Sequence, residues 1–165
     1  MKILITGGKS ASALKLLKAF ANHHIVLADY GDMPALSSKA YQMHSLGLRN
    51  DDTTAHTLLN NCLDENVEMF LPIYDFEIDA VAKAMVLFEE FGIQVLLPQP
   101  QDLPGFLSTE KQTADWAFYQ DGVLKFPENA STAQKELGLK EKLNGVFYTV
   151  DSPEGLKPVL FTINS

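Results

Sequence analysis

The sequence holds one cysteine, Cys62, so no internal disulfide can staple it, and a lone thiol fits a reducing compartment. Positive charge is scarce: 13 Lys and Arg against 21 Asp and Glu leave a net charge of −8. That argues against nucleic acid or an anionic membrane surface as the main partner, because both need a basic footprint. Long hydrophobic runs are also missing. After Met1 and Lys2 only residues 3–6 lean apolar before Gly7-Gly8, too short for a signal-peptide core, and no later run approaches the roughly 18 residues of a membrane span. Metal-type spacing is lacking too, since His23 and His24 are adjacent while His44 and His56 stand alone. What is present is 165 residues, 46% of them apolar, enough to bury a core unaided. These bounds predict a soluble, acidic, cytoplasmic protein of one domain with a short extension.

Strand and helix signals alternate through the first hundred residues. Lys2-Ile-Leu-Ile-Thr6 reads as a buried strand that stops at Gly7-Gly8. Ser10 is placed to cap a helix that sets Ala13, Leu14, Leu17 and Phe20 on one face. Ile25-Val-Leu-Ala28 is a second buried strand ending at Asp29, and residues 41–48 a minor one. A helix through Leu58, Leu59 and Cys62 precedes a third strand at residues 67–72. Ile78, Val81, Ala82, Met85 and Phe88 recur at helical spacing over residues 76–91, with Gly92 as a stop, and Gln94-Val-Leu-Leu97 is the fourth strand. This order predicts an α/β fold, an open, mainly parallel, Rossmann-like doubly wound sheet. Beyond Pro104 the rhythm changes: helices at residues 108–120 and 130–143, then two short β runs at 146–150 and 158–163. The expected division is a sheet domain over residues 1–105 and a small α+β extension over 106–165, the latter too small to hold its own core.

Familiar nucleotide motifs fail on spacing. Gly8-Lys9-Ser10 ends like a phosphate-binding loop, but the glycine that must stand five residues earlier is Ile3. A dinucleotide fingerprint starting at Gly7, in the spacing used by short-chain dehydrogenases and epimerases, meets Ser10 and Ala13 where further glycines belong, although Asp29 sits where an acid could take a ribose hydroxyl. No tyrosine is followed four residues on by lysine, and no Gly-x-Ser-x-Gly elbow exists. What survives is an anion-friendly turn from strand to helix at Gly7, Gly8, Lys9 and Ser10, where amides and a cation converge. Asp75 and Glu77, following the third strand, should lie opposite that turn. Both acids also suit the first turn of a helix, with Asp75 as its cap, so a purely structural role stands beside the binding one. From residue 51 to 82 there are eight acids and no Lys or Arg, a solvated acidic face.

Taken in order, these stretches resemble the N-terminal domain of ATP-grasp ligases, the biotin-carboxylase-like or pre-ATP-grasp domain. The likeness runs over residues 1–127. It joins Lys2-Ile-Leu-Ile-Thr-Gly-Gly8, residues 25–29 ending in an acid, and Met69-Phe-Leu-Pro-Ile-Tyr-Asp-Phe-Glu77. Ser108-Thr-Glu-Lys-Gln-Thr-Ala-Asp-Trp116 resembles the family's lysine-bearing helix after the fourth strand, and Phe126-Pro127 its linker. In that family the domain packs against a larger module that holds ATP and Mg ions and joins a carboxylate to an amine or similar nucleophile through an acyl phosphate. Gly155-Leu-Lys-Pro-Val-Leu160 resembles that module's first nucleotide-binding strand, which implies a nucleotide contact for Lys157.

The glycine-rich lid, acidic metal ligands and second nucleotide-holding subdomain do not occur before Ser165. The resemblance therefore implies a pre-ATP-grasp domain, truncated before its module and no complete ligase by itself. ATP and Mg would enter only if that module completed it. A small anionic ligand, the missing module or a second copy are the partners expected. The alternatives from other classes are a degenerate NAD(P)-binding protein and a non-catalytic, homo-oligomeric interaction domain.

Overall fold

The computed structural model describes residues 1–34 and 38–164; Ser165, where the sequence ends, lies outside them. The chain forms two compact units, Met1–Val95 joined by Thr162–Ser165, and Leu96–Phe161. The boundary falls at Val95/Leu96, ahead of the residue 105 expected, and the last residues return to the first unit.

The first unit is an α/β sheet of five parallel strands. These are β1 (Lys2–Ile5), β2 (His24–Asp29), β3 (Tyr41–Ser45), β4 (Met69–Leu71) and β5 (Gln94–Val95), in the order β3-β2-β1-β4-β5. In register, Ile3 faces Ile25 on one side and Met69 on the other. Ile3, Leu4, Ile5, Val26 and Leu27 are wholly buried, as central strands covered on both faces require, and each such side chain contributes about 1.5–3 kcal/mol. Helix α1 (Ala11–Leu16) follows β1, α2 (Thr54–Asp64) follows β3, and α3 (Asp75–Lys83) with α4 (Met85–Glu90) follow β4. Right-handed crossovers in this strand order set α1 on one face and α2, α3 and α4 on the other, where α2 packs on α3. The doubly wound sheet is thus as expected.

Two helices depart from expectation in detail. Leu14 is half exposed, and Leu16 joins Ala13 and Phe20 in the core: the buried stripe runs at i, i+3 and i+7 from Ala13, one step round from the face expected, and the chain tightens into a 3-10 turn over Leu17–Phe20. The helix at 76–91 breaks at Ala84, whose amide bonds back to Val81 at 3.0 Å. Phe88 of α4 still reaches the core and stacks on Phe70 of β4, ring centroids 5.5 Å apart.

The helix expected at 108–120 does not form. Residues 107–115 carry neither helix nor strand, and β6 (Trp116–Gln120) pairs antiparallel with β7 (Val123–Phe126). The lysine-bearing helix implied by the family resemblance is therefore absent here. Trp-Ala-Phe-Tyr gains more by pairing than by helix propensity, since aromatic side chains fit a pleated, half-buried surface. The two-residue Asp121-Gly122 turn has positive φ at both positions, 50° and 87°, which Gly122 takes without strain. Helix α5 (Thr132–Glu141), capped by Ser131, precedes β8 (Gly145–Ser152) and β9 (Gly155–Leu160), giving the sheet β7-β6-β8-β9. This unit carries its own ring cluster: Phe147 meets Phe106 at 5.4 Å and Tyr119 at 6.3 Å, against the expectation that it holds no core. Among the described residues no helix is long and apolar enough to cross a membrane.

Candidate functional site

The strand order reverses between β1 and β4, and in open parallel sheets ligands bind outside the C-terminal strand ends at such a point. There the first unit carries a cleft of about 400 Å³, lined by Lys9, Ser10, Asp29, Tyr30, Arg49, Tyr74, Phe76, Ile163 and Asn164. The lining gathers residues from several strand ends. Lys9 and Ser10 follow β1, Asp29 and Tyr30 end β2, Arg49 stands after β3, and Tyr74 and Phe76 open α3. A backbone bond from Gly31 to Gly47, 2.8 Å, ties the loop after β2 to the loop after β3 and brings Arg49 toward Tyr30. Ile163 adds a short bridge beside Tyr74: its amide bonds Ile73 at 2.7 Å and its carbonyl accepts from Asp75 at 2.9 Å.

The turn itself is filled from within. The Gly8 amide donates to Ala28 at 2.9 Å, the Ser10 amide to Gly7 at 2.8 Å, and the Lys9 amide to the Asp29 carboxylate at 3.0 Å. Asp29, 2% exposed, also accepts from the Tyr30 amide at 2.8 Å and from the Tyr74 hydroxyl at 2.9 and 3.0 Å. A protein carboxylate thus occupies the place of an external anion, and both its oxygens are engaged. Gly8 is glycine for close approach, since a Cβ would stand 2.9 Å from the backbone of Leu27. Neither a pyrophosphate cradle nor a ribose contact at Asp29 fits this arrangement. Among the described residues no group of three His, Cys, Asp or Glu could hold a metal ion. With the Lys9 amide held by Asp29, the turn does not fit a phosphate of ATP.

Glu77 is the second acid behind the wall. It is wholly buried and accepts from Thr6 Oγ1 at 2.6 Å and from the Tyr30 hydroxyl at 2.6 Å, while its Oε1 takes the Tyr74 amide at 3.3 Å. Thr6 in turn accepts the Ile73 amide at 2.8 Å, so Glu77 knits β1, β2 and the start of α3 together. Burial pushes its carboxyl up to about 7; the Thr6 and Tyr30 bonds oppose the rise, and the nearby Asp29 charge adds to it. Burial and the Glu77 charge likewise hold the Tyr30 phenol well above its ordinary range, and burial with the Asp29 bond does so for Tyr74. Both phenols are therefore protonated donors facing inward.

What remains open to a ligand is flat and cationic. The rings of Tyr74 and Phe76 stack at 5.4 Å, with Tyr30 at 5.5 Å from Phe76 and 6.1 Å from Tyr74. The Arg49 guanidinium lies 3.6 Å over the Phe76 ring, its Nε on Asp51 at 2.7 Å. Lys9 Nζ donates to the Tyr30 carbonyl at 2.7 Å.

Of the residues singled out in the sequence, Lys9, Ser10 and Asp29 line the cleft, whereas Gly7 and Gly8 shape the turn beneath it. Glu77 lies behind Tyr30. Asp75 is exposed, does not line the cleft, and bonds the Phe76 amide at 2.8 Å. The helix cap expected of Asp75 is one residue off: Tyr74 holds the N-cap position, and Glu77 reaches back to its amide. Lys157 is exposed on β9 of the second unit. Sequence reading missed Tyr30, Arg49, Tyr74, Phe76, Ile163 and Asn164. Tyr30 had a usable signal, directly following the end of β2, and Tyr74 a weaker one, three residues beyond β4.

No family model matches the sequence, and no curated protein matches it. Among solved structures the fold is similar to the biotin carboxylase domain of a single-chain bacterial carboxylase (19% identity, TM-score 0.49), covering 64% of this chain and 26% of that one. It is also similar to the biotin carboxylase domain of the Hydrogenobacter thermophilus 2-oxoglutarate carboxylase, at 19% identity and TM-score 0.45, over 64% of this chain and 24% of that one. A third is glycinamide-RNase-transformylase T from Mycobacterium tuberculosis, at 12% identity and TM-score 0.42, over 64% and 31% of the two chains. The chain spans about a quarter to a third of the length of these proteins.

Proposed function

We propose that this chain is a cytoplasmic pre-ATP-grasp-like domain that binds a small, flat anion and is not a complete ligase by itself. The observation that supports this most is the cleft at the β1/β4 reversal, where the two cations Lys9 and Arg49 stand beside the rings of Tyr30, Tyr74 and Phe76. Such a wall suits a planar body, and the cations suit a carboxylate or comparable group at its edge. The anion is met by side chains, not by the turn amides, because Asp29 already holds the Lys9 amide. Arg49 supplies the fork: Asp51 fixes one edge of the guanidinium and Phe76 its face, leaving an edge for a bidentate acceptor. Chemistry on the bound molecule would then belong to an ATP-grasp module joined to this domain, with ATP and Mg held there.

Calorimetric titration with benzoate, inorganic phosphate and Mg-ATP tests the reading. Benzoate should bind, with phosphate weaker and Mg-ATP neither bound tightly nor hydrolysed. Micromolar Mg-ATP binding with turnover by this chain would overturn it.

A further inference from the structure

The wall of the cleft and the two buried acids are one hydrogen-bonded assembly. Tyr30 lines the cleft with its ring and donates its hydroxyl to Glu77 at 2.6 Å; Tyr74 lines it too and donates to Asp29 at 2.9 Å. Two carboxylates thus stand directly behind a surface that is to receive a third negative charge. Their surroundings differ. Asp29 is met by two backbone amides and a phenol. Glu77 is 0% exposed and meets two hydroxyls and one long amide contact at 3.3 Å.

The charged and titratable groups around Glu77 come from every neighbouring strand end. They are Asp29 and Tyr30 from β2, Tyr74 and Asp75 at the start of α3, Lys9 on the turn after β1 and Arg49 on the loop after β3. Among the described residues none of the cations bonds the Glu77 carboxylate. An anion in the cleft is therefore repelled by Glu77 through low-dielectric protein, and a proton on Glu77 removes that repulsion.

We propose that an anion entering the cleft is taken up together with one proton, drawn from solvent and held on Glu77, so that the site fills in mild acid and empties as the pH rises. This rests on the cleft being the binding site proposed above. The buried carboxyl titrates near neutrality, where such coupling is felt. A proton on Oε2 of Glu77 requires only that the part-buried Tyr30 hydroxyl turn from donor to acceptor, with the Thr6 bond to Oε1 kept.

The test uses benzoate, a flat carboxylate that stays ionised above about pH 5. Its affinity should rise about threefold or more from about pH 8 to pH 6, with calorimetry in two buffers of different ionisation heat reading net proton uptake. In Glu77→Gln binding should persist and lose its pH dependence. In Tyr30→Phe the midpoint should move to higher pH, since the ionised carboxylate loses a donor, which keeps the test open if Glu77→Gln folds poorly. Equal affinity at both pH values in the native chain, or an unchanged slope in Glu77→Gln, would overturn the coupling while leaving the binding reading intact. Absence of binding at either pH removes both.

Discussion

Asp29 and Lys9 define the site by the bond they share: the Lys9 amide donates to the Asp29 carboxylate at 3.0 Å, so the turn after β1 is neutralised by an acid from β2. The same acid holds Tyr30 and Tyr74. Asp29→Ala should cost about 2–4 kcal/mol, because it strands two amides and a phenol in a buried place. Asp29→Asn, which keeps an acceptor, should cost less. Urea denaturation followed by circular dichroism measures both.

The two turn glycines are expected to fail for different reasons. Gly7 has φ of +67°, and a Cβ there would meet the tips of Ile163 and Ile73 at 2.9–3.0 Å, which are able to move. At Gly8 the obstacle is the Leu27 backbone, which is not. Gly7→Ala should cost about 1–2 kcal/mol, from backbone strain. Gly8→Ala should cost more and separate β1 from β2, seen as a larger fall in melting temperature.

Helix α5 offers a substitution with the opposite sign to helix propensity. Gly138→Ala would ordinarily gain up to about 1 kcal/mol in a helix. Here the new methyl would collide with the Tyr119 ring and stand 2.8 Å from the Gly122 carbonyl. Thermal unfolding should show a loss of about 1–3 kcal/mol.

Glu77 makes stability depend on pH. Its carboxyl rises from an ordinary 4.5 to about 7 on folding, so between those values the folded chain holds more protons than the unfolded one. Its contribution is complete below pH 4.5, declines as the pH rises through this window, and is gone above about 7. Glu77→Gln should flatten that decline and, at about pH 8, equal or exceed the native chain by up to about 3 kcal/mol. Denaturation at a series of pH values reads it directly; parallel slopes in both proteins would be the contrary result.

The sheet was legible because buried parallel strands write themselves as unbroken apolar runs, as in Lys2-Ile-Leu-Ile and Ile25-Val-Leu-Ala. The second unit was less so. Asp121-Gly122 is a hairpin signal, but the helix-prone polar stretch before Trp116 masks the strand that precedes it. The acids Asp29 and Glu77 were visible at strand ends, yet their inward orientation was not, since a carboxylate buried by distant hydroxyls looks like an exposed one in sequence. Arg49 was invisible for a related reason: its place over Phe76 depends on the Gly31–Gly47 bond between two loops.

On the proposed function, a flat anion binds in the cleft between Lys9, Arg49 and the three rings. Amide NMR spectra of the native chain and of Arg49→Gln, titrated with benzoate, test it most directly. Expected are shifts at Lys9, Tyr30, Arg49, Tyr74 and Phe76 in the native chain, with at least about tenfold weaker binding in Arg49→Gln, the loss of one charged anchor. Shifts confined to residues 96–161, or equal affinity in the two proteins, would contradict it.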